Sequence, residues 1–218
     1  MISVSSRNFD ERKAPLEMLV LHYTGMRTFQ EALDRLRDPA AKVSAHYLID
    51  ETGEIYSLVD ESKRAWHAGV SSWKGKTDIN SRSVGIEIVN PGHEFGYRPF
   101  PEEQILSVIR LSKEIIKRYV ILPENIVGHS DIAPTRKTDP GELFPWKVLA
   151  ENGIGLWTDD FLPAGKSVEE MLTAIGYDTA DEQAAMTAFQ RRFYPEALLN
   201  KAARTKERLA AITKLYER

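Results

Sequence analysis

Cysteine is absent from the 218 residues, which excludes disulfides, thiolate metal ligands and a thiol nucleophile at once. Any metal must therefore be held by His, Asp or Glu. An excess of positive charge is also missing. The 29 Lys and Arg stand against 32 Asp and Glu, a formal net charge of −3, so the basic face of a nucleic-acid binder is not there. No apolar run approaches the ~20 residues that a membrane-spanning helix needs. Residues 1–13 scatter Arg7, Asp10, Glu11, Arg12 and Lys13 among few apolar side chains. They lack the apolar stretch of about 7–15 residues that marks a secretion signal. The expectation is a monomer, cytoplasmic as the chain stands, or periplasmic or outer-membrane-anchored if a signal was removed from a longer precursor.

Hydrophobic residues make up 42% of the chain and charged residues 28%, enough apolar surface for a packed core. Apolar alternation predicts strands at Met18–Thr24, Ser44–Asp50, Glu54–Val59 and Ser83–Asn90, with a shorter one at Asn125–Gly128. Thr28 followed by Glu31 has the pattern of a capping box and predicts a helix through about Arg37. Pro101, Glu102 and Glu103 open a longer helix that carries Ile105, Val108, Ile109, Ser112, Ile115, Ile116 and Tyr119 on one face. Strands alternating with helices mean an α/β fold. After Trp146 the strand pattern stops, and glycine and proline cluster in 152–155 and 162–165. Two further box patterns, Ser167–Glu170 and Thr179–Glu182, and a helical run from about Lys201 to Tyr216 predict a small three-helix unit. We expect a catalytic domain over 1–155 and a helical domain over 156–218.

Five histidines occur, at 22, 46, 67, 93 and 129. His22 and His129 fall at the ends of predicted strands, where side chains can reach a shared cleft. A strand histidine taken alone is more often packed or hydrogen-bonded than a metal ligand, so spacing does not settle the matter. The loop after His129 delivers two carboxylates, Asp131 and Asp139. On the bare sequence, Asp131 competes for a third-ligand role or serves as a turn residue. Glu87 alternates with Val84, Ile86 and Ile88 in its strand and points to the opposite face.

The segment Gly128-His-Ser-Asp-Ile-Ala-Pro-Thr-Arg-Lys-Thr-Asp-Pro-Gly141 resembles the second metal-binding segment of AmpD/AmiD-type N-acetylmuramoyl-L-alanine amidases. These share a fold with phage amidases and peptidoglycan recognition proteins. Val20-Leu-His-Tyr-Thr24, Ala65-Trp-His-Ala-Gly69 and Ser83-Val-Gly-Ile-Glu-Ile-Val-Asn90 match that family in the same order. Agreement of four ordered segments is far more specific than any one of them. The resemblance implies a mixed central β-sheet flanked by helices, and one Zn2+ held by His22, His129 and Asp139. Two imidazoles and a carboxylate form a catalytic zinc set with one position left for water. It further implies Glu87 as general acid/base and Lys137 as the cation facing the scissile carbonyl. Trp66 and His67 are implied to line the substrate groove. Asn80 and Arg82 are expected to hold peptide carbonyls or carboxylates.

In phage and receptor members a tyrosine precedes the histidine of the second strand. Here Ala45 stands there, which excludes a tyrosine-assisted route. His46 is read as a packing or supporting residue, His93 as an exposed loop residue, and Arg136 as a solvated or ion-paired one. Leu172–Tyr177 and Ala188–Phe193 resemble, more loosely, the helical peptidoglycan-binding unit that follows the catalytic domain in the AmiD group. The expected partners are peptidoglycan fragments and muropeptides. The expected reaction is hydrolysis of the amide between the lactyl group of N-acetylmuramic acid, or its 1,6-anhydro form, and L-alanine. The alternatives are a recognition module that binds muropeptide without cutting it, and a zinc hydrolase for another amide.

Overall fold

The computed structural model describes residues 1–200 and 203–217. Eight strands appear in it: β1 (Ile2–Ser3), β2 (Phe9–Glu11), β3 (Met18–Tyr23), β4 (Tyr47–Ile49), β5 (Ile55–Ser57), β6 (Lys63–Ala65), β7 (Ser83–Ile88) and β8 (Ile126–Gly128). The helices are α1 (Phe29–Arg37), α2 (Ile79–Arg82), α3 (Gly92–Phe95), α4 (Glu102–Tyr119), α5 (His129–Ile132), α6 (Trp146–Glu151), α7 (Val168–Ile175), α8 (Glu182–Phe193) and α9 (Thr205–Tyr216). Six strands form one mixed sheet in the order β1-β5-β4-β7-β3-β8, and β2 pairs with β6 apart from it. Strands β4, β7, β3 and β8 run parallel, while β4 and β5 are the antiparallel hairpin predicted around Gly53.

Burial explains the sheet's centre. Met18, Leu19, Val20 and Leu21 of β3 are almost wholly enclosed, as expected of a parallel strand covered on both faces. On one face, Leu19, Leu21, Val84, Ile86 and Ile88 pack against Ile105, Val108, Ile109 and Ile115 of α4, with Trp146 and Leu149 of α6. The other face is covered in two separate patches. Met18, Val20 and Val127 meet Met171, Leu172 and Ile175 of α7, Phe189 and Phe193 of α8, and Leu209 and Ile212 of α9. Leu48 and Val89 meet Leu33 and Leu36 of α1. Between the two patches lie the side chains that alternate with them, His22 and Glu87, directly paired in the parallel register.

The fold class agrees with the sequence reading, with local differences. The strand predicted over Ser44–Asp50 is confined to Tyr47–Ile49; before it, the Ser44 amide leaves the sheet for the carbonyl of Trp66. The last helix starts at Thr205, and Lys201, where the pattern places its start, lies outside the described residues. Helix α8 is capped by Asp181, two residues after Thr179, the predicted cap. At Thr28 the hydroxyl does accept from the Glu31 amide, but the Glu31 carboxylate bonds the Arg27 amide, so that box is only half closed. Ser167 and Glu170 form the full reciprocal box.

Candidate metal centre and catalytic cavity

The centre is built at the carboxyl ends of three parallel strands, the usual place for a site in such a sheet. His22 is the fifth residue of β3, and the register sets it beside Glu87 on β7. Strand β8 lies on the other side of β3, pairing Gly128 with Leu21, so His129 at the start of α5 falls next to His22. The loop then returns, and the Asp139 carbonyl accepts from the Ser130 amide at 2.8 Å. Gly128 permits this return, since a Cβ there would sit 2.7 Å from Cδ of Pro140.

The three donor atoms converge. His22 Nδ1 lies 2.9 Å from His129 Nδ1, and each is 3.1 Å from Asp139 Oδ2. Tetrahedral ligands with zinc bonds near 2.0 Å are separated by about 3.3 Å, so the spacing suits a small tetrahedral ion. All three residues are buried.

The hydrogen bonds behind the imidazoles determine which nitrogens face inward. The Ser83 hydroxyl donates to the Ile79 carbonyl at 2.7 Å, so at 3.2 Å it can only accept from His67 Nε2. His67 Nδ1 then bears a lone pair and accepts from His22 Nε2 at 3.0 Å. That leaves the Nδ1 lone pair of His22 free toward the cluster. His129 Nε2 donates to the Ala68 carbonyl at 3.2 Å and presents Nδ1 in the same way. Outer partners of this kind fix the tautomer and orientation of metal-binding imidazoles. Burial, followed by the neighbouring His129, pushes His22 down to about 4, so its ring is neutral and able to ligate at pH 7.

Two carboxyls near the cluster are driven apart. Burial alone would raise Asp139, but the imidazoles of His129 and His22 outweigh it and hold the carboxylate well below its ordinary range. Glu87 is raised well above 4.5 by burial and then by the charge of Asp139. Its Oε2 is enclosed and has no hydrogen-bond partner, an orphaned acceptor of the sort that protein interiors rarely tolerate without purpose. Opposed shifts in neighbouring carboxyls are typical of acid/base sites. Glu87, Lys137, Trp66, His67, His129 and Asp139 all line one cavity of about 390 Å³.

Not every predicted residue reaches that cavity. Asn80 lies beneath it, where its Oδ1 accepts from the amides of His67 at 3.0 Å and Ala68 at 2.7 Å. Arg82 sits at the opposite end of β7, bonded to Glu17 at 2.9 Å and to the Thr77 carbonyl. His67 is only 7% exposed and spends both nitrogens on His22 and Ser83. His46 supports the sheet, accepting from the Gly85 amide at 2.9 Å. His93, expected as an exposed loop residue, is exposed but sits in α3, where it bonds Tyr23 at 2.9 Å and Glu142 at 3.0 Å and stacks on Tyr97.

Four contributors escaped the sequence reading. Ser83 gave no signal, being an ordinary strand residue. Arg12 binds the carbonyls of Glu61, Ser81 and Ser83, and no motif marks it. Arg192 and Tyr177 both reach Asp131: Arg192 Nη1 at 2.6 Å and the Tyr177 hydroxyl at 2.8 Å. Arg192 did carry a signal, since it shares helical spacing with Ala185, Ala188, Phe189 and Phe193 on an otherwise apolar face.

The mixed sheet flanked by helices is that of the amidase class of hydrolases. The chain belongs to the N-acetylmuramoyl-L-alanine amidase family, whose profile matches residues 12–142, and it is an enzyme of that family. It is 40% identical over 211 residues to the N-acetylmuramoyl-L-alanine amidase AmiD of Escherichia coli, covering 83% of this chain and 75% of that one. The structure of AmiD in complex with anhydro-N-acetylmuramic acid-L-Ala-D-gamma-Glu-L-Lys matches with a TM-score of 0.79, 35% identity, and coverage of 97% of this chain and 99% of that one. AmpDh3 from Pseudomonas aeruginosa matches with a TM-score of 0.83 at 34% identity over 100% of both chains. The similarity therefore extends through the helical tail.

Proposed function

We propose that this enzyme uses one zinc ion to hydrolyse the amide between the lactyl group of N-acetylmuramic acid, or its 1,6-anhydro form, and L-alanine. Residues 1–155 carry the chemistry, and the described residues of 156–218 form a helical unit packed against it. The observation that carries the reading is the set of three inward-facing donors beside a buried glutamate oxygen with no partner. The substrate named in the AmiD complex supports the choice of amide.

His22, His129 and Asp139 would hold the zinc, which supplies Lewis acidity toward the scissile carbonyl and toward a water molecule. Glu87, raised by burial, takes the proton of the attacking water and hands it to the amine of L-alanine as the C–N bond breaks. Lys137 has no ion-pair partner among the described residues, so its ammonium is available to the oxyanion that develops on the lactyl carbonyl. Trp66 offers a half-buried aromatic face at the cavity wall, suited to a sugar ring. His67, Ser83 and Asn80 orient these groups.

The test is turnover of an anhydro-muramyl tripeptide by zinc-loaded and chelator-treated enzyme, with products identified by mass spectrometry. Release of a peptide beginning with L-alanine, abolished by the chelator and restored by zinc, is expected. Binding without zinc-dependent cleavage would favour the recognition module instead, and cleavage at another bond would reassign the substrate.

A further inference from the structure

Tyr23 follows His22 in β3, and its hydroxyl reaches the loop that carries Lys137 and Asp139. It lies 2.9 Å from the Thr138 hydroxyl and 2.9 Å from His93 Nδ1. Among the described residues it is the only hydrogen-bond partner of Thr138. The neighbours of Thr138 are held through the backbone: the Lys137 amide donates to the Ala133 carbonyl at 3.0 Å, and the Asp139 carbonyl accepts from the Ser130 amide at 2.8 Å. Further along the loop, the Tyr97 hydroxyl donates to the Pro140 carbonyl at 2.7 Å and accepts from the Leu143 amide at 3.0 Å. His93 stacks on Tyr97 with ring centroids 4.4 Å apart. Two glycines let the rings come this close. A Cβ on Gly92 would lie 2.6 Å from the Tyr23 ring, and one on Gly141 would lie 2.2 Å from the Tyr97 hydroxyl.

The hydrogen bonds run in one direction. A carboxylate only accepts, so His93 Nε2 donates to Glu142 at 3.0 Å. With the imidazole neutral, Nδ1 takes the Tyr23 O–H, and the Tyr23 oxygen takes the Thr138 O–H. The one hydrogen of the Tyr23 hydroxyl is thereby committed to His93, and it has no proton to give a substrate. Arg191 of α8 lies 3.8 Å from the same carboxylate of Glu142, which brings the helical tail to the outer end of the chain. We propose that Tyr23 is a positioning residue: with His93 and Glu142 it braces Thr138, and so fixes the backbone from which Lys137 and Asp139 reach the catalytic cavity. The role of Lys137 rests on the amidase reading, whereas the brace itself does not. Lys137 lines the cavity without an ion-pair partner among the described residues, so its backbone alone aims it. Asp139 is also held by two imidazoles, and it depends on the brace less.

The test compares Tyr23→Phe, Thr138→Val and the double variant, each loaded with zinc. Both single changes remove the same bond and keep the shape of the side chain. Hydrogen exchange of segment 134–143, read by mass spectrometry, should speed up about fivefold in each, the scale of one hydrogen bond, with exchange in α4 unchanged. In cleavage of an anhydro-muramyl tripeptide, kcat should fall about fivefold at constant KM, as when an interaction made only in the transition state is weakened. The double variant should be no worse than either single one, because the two residues act through one contact. His93→Ala should speed the same exchange, and His93→Gln, which keeps an acceptor for Tyr23 and a donor for Glu142, should not. Unchanged exchange in segment 134–143, a rise that spreads to α4, additive losses in the double variant, or a change confined to KM would each overturn the proposal. A native enzyme that leaves the tripeptide intact would overturn the amidase reading instead, and the exchange measurements would still decide the brace.

Discussion

Asp131 and Asp139 leave the same loop and meet opposite surroundings. Asp139 faces two imidazoles at 3.1 Å across a cavity open to solvent. Asp131 is wholly enclosed and turns the other way, accepting from the Gly128 amide at 2.7 Å, from Arg192 and from Tyr177. Distance along the chain from His129 would have favoured Asp131 as the ligand. What separates the two is the company each one keeps: the imidazoles of a cluster that could hold a metal for Asp139, and the guanidinium of the tail for Asp131. Arg192 also donates to the Ile126 carbonyl at 2.8 Å, so the tail grips β8 and the start of the metal loop through one side chain.

The largest effect should come from breaking the sealed partner. Asp131→Ala leaves Arg192 charged and enclosed, and removing one member of a buried ion pair costs about 3–5 kcal/mol. Urea unfolding of the metal-free protein reads this directly, and a loss below about 1 kcal/mol would place the pair with ordinary surface bridges. Asp139→Ala should do the reverse. Its fold should persist, while zinc affinity, measured by competition with a chromophoric chelator, falls by about a hundredfold or more because three protein ligands become two. If Asp131→Ala released zinc and Asp139→Ala kept it, the two roles would have to be exchanged.

A smaller effect is expected one layer out. Ser83→Ala removes the acceptor for His67 Nε2 and with it the chain that fixes the tautomer of His22. Zinc affinity should drop about tenfold, in the range for such outer partners, with little change in folding. Unchanged affinity would mean that the packing of His67 against Gly85 is enough to orient His22. That packing is close, since a Cβ on Gly85 would lie 2.5 Å from the His67 ring.

The central strands were legible in the sequence because β3 and β7 are long enough to show period and burial. β1, β2 and β6 span two or three residues each, too few for any pattern, and exist through their cross-strand partners. The cluster of His22, His129 and Asp139 was legible through a family resemblance. Spacing alone did not separate Asp139 from Asp131, since the path of the loop between them depends on tertiary contacts. Arg82 illustrates the limit in the other direction. Its residue type suited a peptide carboxylate, but the start of β7 lies at the far end of the strand from Glu87, where Glu17 already meets it.

Glu87 gives the smallest effect and the sharpest one to interpret. Unlike the carboxylates of Asp131 and Asp139, its enclosed Oε2 has no hydrogen-bond partner, so in the metal-free protein its ionised form is opposed by burial and by Asp139. A carboxyl raised above its unfolded value of 4.5 keeps its proton in the folded state after the unfolded chain has lost it. Between those two values folding takes up a proton, and stability falls as pH rises. Glu87→Gln removes that loss. The metal-free variant should match the native protein near pH 4 and exceed it by about 1 kcal/mol at pH 8, the scale of one poorly satisfied buried polar group. Thermal unfolding across that pH range measures the divergence, and parallel curves would mean that Glu87 is solvated well enough to ionise freely. If the curves do diverge, the oxygen left without a partner is a cost carried by the empty fold, as expected of a base that awaits the proton of the attacking water.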